Sequence, residues 1–336
     1  MRFDEYRNLD GVALAKLVAD GEVTAAELLE LAIARAEAVN PALNGLIIPL
    51  YDRAREQAAG ALSGPLAGVP MLTKDLFQEI GGAPNYQGNK ALKRAGHKAP
   101  VDSELVRRWK AAGVVLFGRT NTPEFGAKGI TEPEAFGATR NPWNTDHTPG
   151  GSSGGSAALV AAGVVPFAGA NDGGGSIRIP AGCCGLFGLK PGRGRTPWGP
   201  NFSEAMHGIS MNHVVTRSVR DSALLLDATQ GEEVGSLFRI APPERSYLSE
   251  LESDPKPLRI AFSTTSPIGT EVDPEAVAAV EDAARLLESL GHKVEQASPK
   301  MDMLAMSMDW LSMWFANCAA SVDWVREETG CGNDGF

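Results

Sequence analysis

The chain has 336 residues, 43% hydrophobic and 21% charged, which is ordinary globular composition with enough length to bury a core. Its formal net charge of −10 weighs against nucleic-acid or anionic-membrane binding, because phosphate contacts demand clustered Lys and Arg. No run approaches the roughly 18 apolar residues of a membrane-spanning helix, and Met1–Glu5 does not open a secretory signal, so a cytoplasmic protein is expected.

In chain order, a short helix is expected to open at Asp10. A longer one follows from the capping box Thr24-Ala25-Ala26-Glu27, with Leu28, Leu31, Ile33 and Ala36 at helical spacing until Asn40-Pro41 ends the run. Apolar, β-rich runs then recur at Val69–Leu72, Val114–Phe117, Val164–Phe167, Leu186–Leu189 and Leu258–Phe262. Helical stretches fall between them at Ser103–Ala112, Ser153–Ala162, Ser218–Ala228 and Pro274–Leu290. Strands alternating with helices predict an α/β protein, a sandwich around a largely parallel sheet. The polar segment Gly231–Pro257 reads as a surface excursion, and Gly330–Phe336, with no capping helix or closing strand, as the end of a chain cut short.

Two glycine-serine stretches carry the chemistry. The first is Thr148–Ser156, containing Gly150-Gly151-Ser152-Ser153-Gly154-Gly155; the second is Asp172-Gly173-Gly174-Gly175-Ser176-Ile177-Arg178. A small-residue helix and an apolar run separate them, so both loops can meet at one edge of a sheet, where α/β proteins build their sites. Residues without Cβ let consecutive backbone N–H groups converge on an oxyanion, so Gly173, Gly174, Gly175 and Ser176 are candidate oxyanion donors beside a candidate nucleophile. A serine hydroxyl needs a base, and no histidine sits in either motif. Lys74, at the end of the run from Val69, is the candidate, since desolvation disfavours an ammonium. Arg178 is expected to anchor its loop by pairing with Asp172, and Ser153 to cap a helix or support the site. Thr73 and Asp75 could orient Lys74.

Other readings of these loops are weaker. Neither has the GK[ST] ending of a P-loop or the GxGxxG order of a dinucleotide site. Gly151–Gly155 formally matches GxSxG centred on Ser153, but polar residues precede it where a nucleophile elbow has a strand. A flexible linker does not carry an ordered Ser-Ile-Arg-Ile-Pro sequel.

The two stretches together resemble the amidase-signature family, whose hallmark is a GGSSGG stretch followed by GGSIR. The likeness runs from the Thr24 helix through Thr229. It implies an amidase-signature α/β/α sandwich with a mixed, largely parallel sheet, truncated here at its C-terminus. It also implies an amidohydrolase with Ser176 as acylated nucleophile, Ser152 as bridging serine on a cis peptide bond, and Lys74 as base. The run from Cys184 to Pro191, with Gly194–Pro197 and Asn212–Val215, is similar to the branch of 6-aminohexanoate cyclic-dimer hydrolases. The stretch Thr120–Gly126 and the segment Trp310–Cys318 are pocket candidates through Gly126 and Cys318, although Met306, Met308, Trp310, Met313, Trp314 and Phe315 equally suit core packing.

A single domain over 1–336 is expected, with a helical region about 1–60, a catalytic core about 61–230, and further sheet and pocket segments over 231–336. The expected partner is a small-molecule amide, with no nucleic acid and no membrane, and a homodimer as the assembly considered. No metal or cofactor is implied: the cysteines (Cys183, Cys184, Cys318, Cys331) have no CxxC spacing and the histidines are scattered. Two alternatives stand beside the free amidase, namely the A subunit of a glutamyl-tRNA amidotransferase and a truncated, inactive scaffold.

Overall fold

Helices α1 (Phe3–Asn8), α2 (Gly11–Ala19) and α3 (Ala25–Leu43) open the chain in a computed structural model that describes residues 1–332. Asp10 caps α2 by accepting from the Ala13 N–H at 2.9 Å. Thr24 and Glu27 close a reciprocal capping box on α3. That helix does not stop at Asn40-Pro41: Pro41 sits inside it, and the end comes at Asn44, in the left-handed region with φ 50°. Asn40 sets this exit, because its side-chain oxygen accepts from the amides of both Gly45 and Leu46.

The described residues form two units, Met1–Leu248 with the stretch from Ala320 onward, and Ser249–Ala319. The first continues as β1 (Leu46–Pro49), α4 (Tyr51–Ala59), β2 (Pro70–Lys74), α5 (Lys90–Ala95), α6 (Glu104–Ala111) and β3 (Val115–Thr120). It goes on as α7 (Gly154–Ala161), β4 (Phe167–Asp172), α8 (Arg178–Cys184), β5 (Phe187–Gly188), β6 (Met211–Thr216) and α9 (Val219–Thr229), and α10 (Tyr247–Glu250) follows at its boundary. The strands make one sheet in the order β1-β3-β2-β4-β6-β5. Its centre, β3-β2-β4, is parallel, whereas β1, β6 and β5 pair antiparallel, so the sheet is mixed and the parallel expectation holds for its middle only. Every residue of β2, β3, β4 and β6 is buried, as in an α/β/α sandwich with both sheet faces covered.

The third expected strand, Val164–Phe167, lies instead at Phe167–Asp172. The sequence Ala-Gly-Ala-Asn-Asp has weak strand propensity, but it pairs with β6 along its whole length, from Phe167↔Thr216 to Asp172↔Met211. Strands β1 and β6 and helices α1, α4, α5, α8 and α10 have no counterpart among the expected elements. The core joins α3 residues Leu28, Leu29, Ala32 and Ile33 to Leu72, Trp109, Phe117 and Phe167. Helix α7 comes unusually close to the end of β3, since a Cβ on Gly155 would lie 2.4 Å from the Asn121 nitrogen. Glycine there lets the loop carrying Ser152 sit against the sheet.

The second unit holds β7 (Arg259–Phe262) and β8 (Lys293–Gln296), paired in parallel, with α11 (Pro274–Ser289) and the first part of α12 (Met303–Thr329). Met306, Met308 and Phe315 are exposed on α12 rather than packed as core, because a unit with one short strand pair has little surface with which to cover them. The segment 231–257 holds only α10, and no element follows Thr329 up to residue 332; positions 333–336 of the expected tail lie outside the described residues. Among the described residues no helix is long and apolar enough to cross a membrane, and the four cysteines are free.

Candidate active site

The carboxyl ends of β2 and β4 lie side by side in the sheet centre, and each delivers a polar residue where the apolar strand runs out. Lys74 ends β2 and is fully buried. Its Nζ lies 2.6 Å from Ser152 Oγ and donates to Asn171 Oδ1 at 2.7 Å. Burial, with no carboxylate in contact among the described residues, pushes its pKa well below the ordinary lysine value, opposed by the more distant charge of Asp172. The main chain of Lys74 is held on both sides. Its N–H donates to Gln78 Oε1 at 2.8 Å, and its carbonyl accepts from the Arg119 guanidinium at 3.0 Å.

Ser152 sits in the first glycine loop, and the Gly151–Ser152 peptide bond is cis. Ser153 occupies the N-cap of α7, yet its hydroxyl caps nothing, because its ψ of 37° is not that of an extended cap residue. Instead it donates to the Asn171 carbonyl at 3.4 Å.

The second loop is wound around one carboxylate. Asp172 ends β4 with its side chain fully shielded and accepts from the amides of Gly175 (2.8 Å), Ile177 (3.2 Å) and Arg178 (3.3 Å). Arg178 adds two parallel bonds, Nε to Oδ2 at 2.8 Å and Nη2 to Oδ1 at 2.9 Å. Burial alone would raise the pKa of Asp172, but Arg178 and these amides outweigh it and hold the carboxyl below its usual value. Of the expected oxyanion donors, the Gly175 N–H is directed to the Asp172 carboxylate. The amides of Gly173, Gly174 and Ser176 have no acceptor among the described residues. Ser176 is 9% exposed, and its hydroxyl likewise has no hydrogen-bond partner among them.

Gly126 closes on the same place. With φ +70°, it would carry a Cβ 2.6 Å from Leu76 Cδ2 and 3.2 Å from Ser152 Oγ. Thr73 faces the sheet, its hydroxyl 3.5 Å from the Gly118 carbonyl. Asp75 does not touch the amine of Lys74; it pairs with Arg119 at 2.9 Å, both side chains fully buried. Cys318 is half-buried on α12 in the second unit, whereas the other candidate residues all belong to the first.

Sequence reasoning missed Asn171, Gln78 and Arg119. One signal was present: Asn171 and Asp172 interrupt an otherwise apolar run, and a polar residue inside a buried strand needs a partner. Arg119 offered a similar sign at the end of the run from Val114.

The amidase family model matches residues 27–328. The 6-aminohexanoate-cyclic-dimer hydrolase of Paenarthrobacter ureafaciens is 47% identical over 87% of this chain and 59% of its own length. The putative amidase AmiC of Mycobacterium tuberculosis is 43% identical over 97% of this chain and 67% of its own. A solved 6-aminohexanoate cyclic dimer hydrolase complexed with substrate superposes with a TM-score of 0.93 at 42% identity, covering 98% of this chain and 69% of that one. The chain thus spans about three fifths of the length of the first of these relatives, 59%.

Proposed function

The chain belongs to the amidase family, and from that membership we propose that it is an amidohydrolase acting on a linear or cyclic carboxamide through a Ser176–Ser152–Lys74 relay. The observation that carries the reading is the fully buried Lys74 amine, 2.6 Å from Ser152 Oγ and without a carboxylate in contact among the described residues. An amine in that setting favours its neutral form and can accept a proton.

In the proposed reaction Lys74 takes the proton of Ser152 as Ser152 takes that of Ser176, and Ser176 Oγ bonds to the amide carbon. The free amides of Gly173, Gly174 and Ser176 receive the negative oxygen, a contribution of about 3–4 kcal/mol for a well-placed donor. As the carbon–nitrogen bond breaks, the proton held on Lys74 returns through Ser152 to the leaving nitrogen. Water then repeats the sequence on the ester, giving its proton to the relay and its oxygen to the acyl carbon, and Ser176 is released reprotonated. The Ser152–Ser176 step is the one that no hydrogen bond yet joins, and catalytic contacts often tighten only when substrate binds.

The similarity to cyclic-dimer hydrolases supports an ω-amino-acid amide as the substrate class, and the free cysteines suit a reducing cytoplasmic setting. The direct test is labelling with a fluorophosphonate, with the modified peptide located by mass spectrometry. Adduct on Ser176, abolished by Ser176→Ala, supports the reading; adduct on Ser153, or none on folded chain, overturns it.

A further inference from the structure

Asn171 stands beside the proposed base, and the relay as written gives it no task. Among the described residues the amine of Lys74 has two side-chain partners, Ser152 Oγ at 2.6 Å and Asn171 Oδ1 at 2.7 Å, and neither is charged. The carboxylate of Asp172 acts on this amine only at a distance, its oxygens being engaged by Arg178 and the loop amides.

A neutral amine carries two N–H bonds and one lone pair, and it works as a base only when the lone pair faces the proton to be taken. The amide of Asn171 is built to impose that orientation. Its Nδ2 donates to the Leu76 carbonyl at 2.9 Å, which settles which end of the amide faces which way. Oδ1 is thereby held toward Lys74, where it can only accept. The Asn171 main chain is fixed in turn by its pairing with Asn212 on β6 and by the Ser153 hydroxyl on its carbonyl. Since Gln78 and Arg119 clamp the main chain of Lys74, the side chain is anchored at root and tip. An uncharged acceptor also suits the task, because a carboxylate in contact would supply the counter-ion that holds lysine as ammonium.

We infer that Asn171 is a positioning residue, whose Oδ1 takes one N–H of neutral Lys74 and so turns the lone pair of that amine toward the Ser152 hydroxyl. The inference rests on the Ser–Ser–Lys reading above. Its test is the rate of fluorophosphonate labelling at Ser176 in the full chain, resolved into a maximal rate and a half-saturating concentration across the pH range, with thermal melts alongside. Asn171→Leu keeps similar volume and removes the acceptor; Asn171→Ser keeps a shorter one. Asn171→Leu is expected to lower the maximal rate on the order of 100-fold, the effect of a misplaced catalytic group, with half-saturation unchanged. The acid limb of its profile moves to lower pH, because the lost acceptor had favoured the ammonium. Asn171→Ser loses less, and it carries the same test if the leucine variant does not fold. Wild-type rate and an unmoved limb in a folded variant overturn the inference, as does a rate loss that only follows the melting temperature. Lys74→Ala separates the two levels. Labelling that survives it sinks the relay itself, whereas labelling lost in Lys74→Ala but normal in the Asn171 variants sinks only the role of Asn171.

Discussion

Arg119 grips Asp75 and Lys74 at once: its Nε lies 2.9 Å from the Asp75 carboxylate and its Nη2 donates to the Lys74 carbonyl at 3.0 Å. Both members of the ion pair are fully buried, and burial pushes the pKa of Asp75 up even against the guanidinium. Removing one partner strands the other. Arg119→Leu is expected to cost about 3–5 kcal/mol of unfolding free energy, the penalty of an uncompensated buried charge. Denaturant unfolding checks it, and a loss under ~1 kcal/mol would contradict the buried-pair account.

Lys74 itself is expected to be a liability for the fold. Lys74→Met should abolish Ser176 labelling while holding or raising the melting temperature, since a buried amine without a counter-ion is replaced by an apolar chain of similar reach. The pH dependence has a definite sign. The folded pKa lies well below the ordinary lysine value of 10.5, so between the two values the unfolded chain binds the extra proton and wild-type stability rises with pH. The advantage of the methionine variant should therefore be greatest in acid and shrink toward the unfolded lysine pKa. An advantage that grows with pH contradicts the assignment.

The Asp172–Arg178 pair organises the second loop. Asp172→Ala releases the Gly175, Ile177 and Arg178 amides together, and labelling is expected to fall on the order of 100-fold through misplacement of the proposed oxyanion donors. Arg178 is more than half exposed, so Arg178→Leu should cost only about 1 kcal/mol of stability. The carboxyl pKa of Asp172 is held below 3.8, so its contribution is present above that value and lost as pH falls through the folded pKa. Labelling rates and acid titrations of the two variants test this ranking, which fails if Arg178→Leu proves the more damaging.

Gly126→Ala is expected to slow labelling and destabilise the fold by about 1–2 kcal/mol, from the left-handed conformation alone. The added methyl would also press on Leu76 and Ser152 Oγ. An alanine variant with unchanged labelling and melting would show that this corner yields more freely than its contacts indicate.

Ser152, Ser176 and Lys74 could be singled out as candidates because each stands in a short motif whose chemistry admits few residue types, and the structure brings Lys74 and Ser152 into contact. Their supports were not. Asn171 meets Lys74 across 97 positions of sequence and Arg119 meets Asp75 across 44, and such pairings are written in the sheet order rather than in any local spacing. Strand β4 was expected to start three residues and to end five residues too early for a related reason: its polar end, Asn171-Asp172, reads as loop until β6 pairs with it. Gly175 shows the converse limit of motif reading. Its motif invites an oxyanion role, and only the position of the Asp172 carboxylate reveals that its N–H is already engaged.

Because β2 is buried on both faces, its apolar residues do not distinguish one register from the next, as they would in a half-exposed strand. The choice falls to polar contacts at the strand end, where Gln78, Arg119 and Asn171 each recognise Lys74. A slip of one residue would present Thr73 to Ser152 in a sheet that otherwise looked well packed. Refolded material can therefore regain its circular dichroism and still lack a reactive serine, and the fraction that takes up the fluorophosphonate is the stricter gauge of native strand alignment.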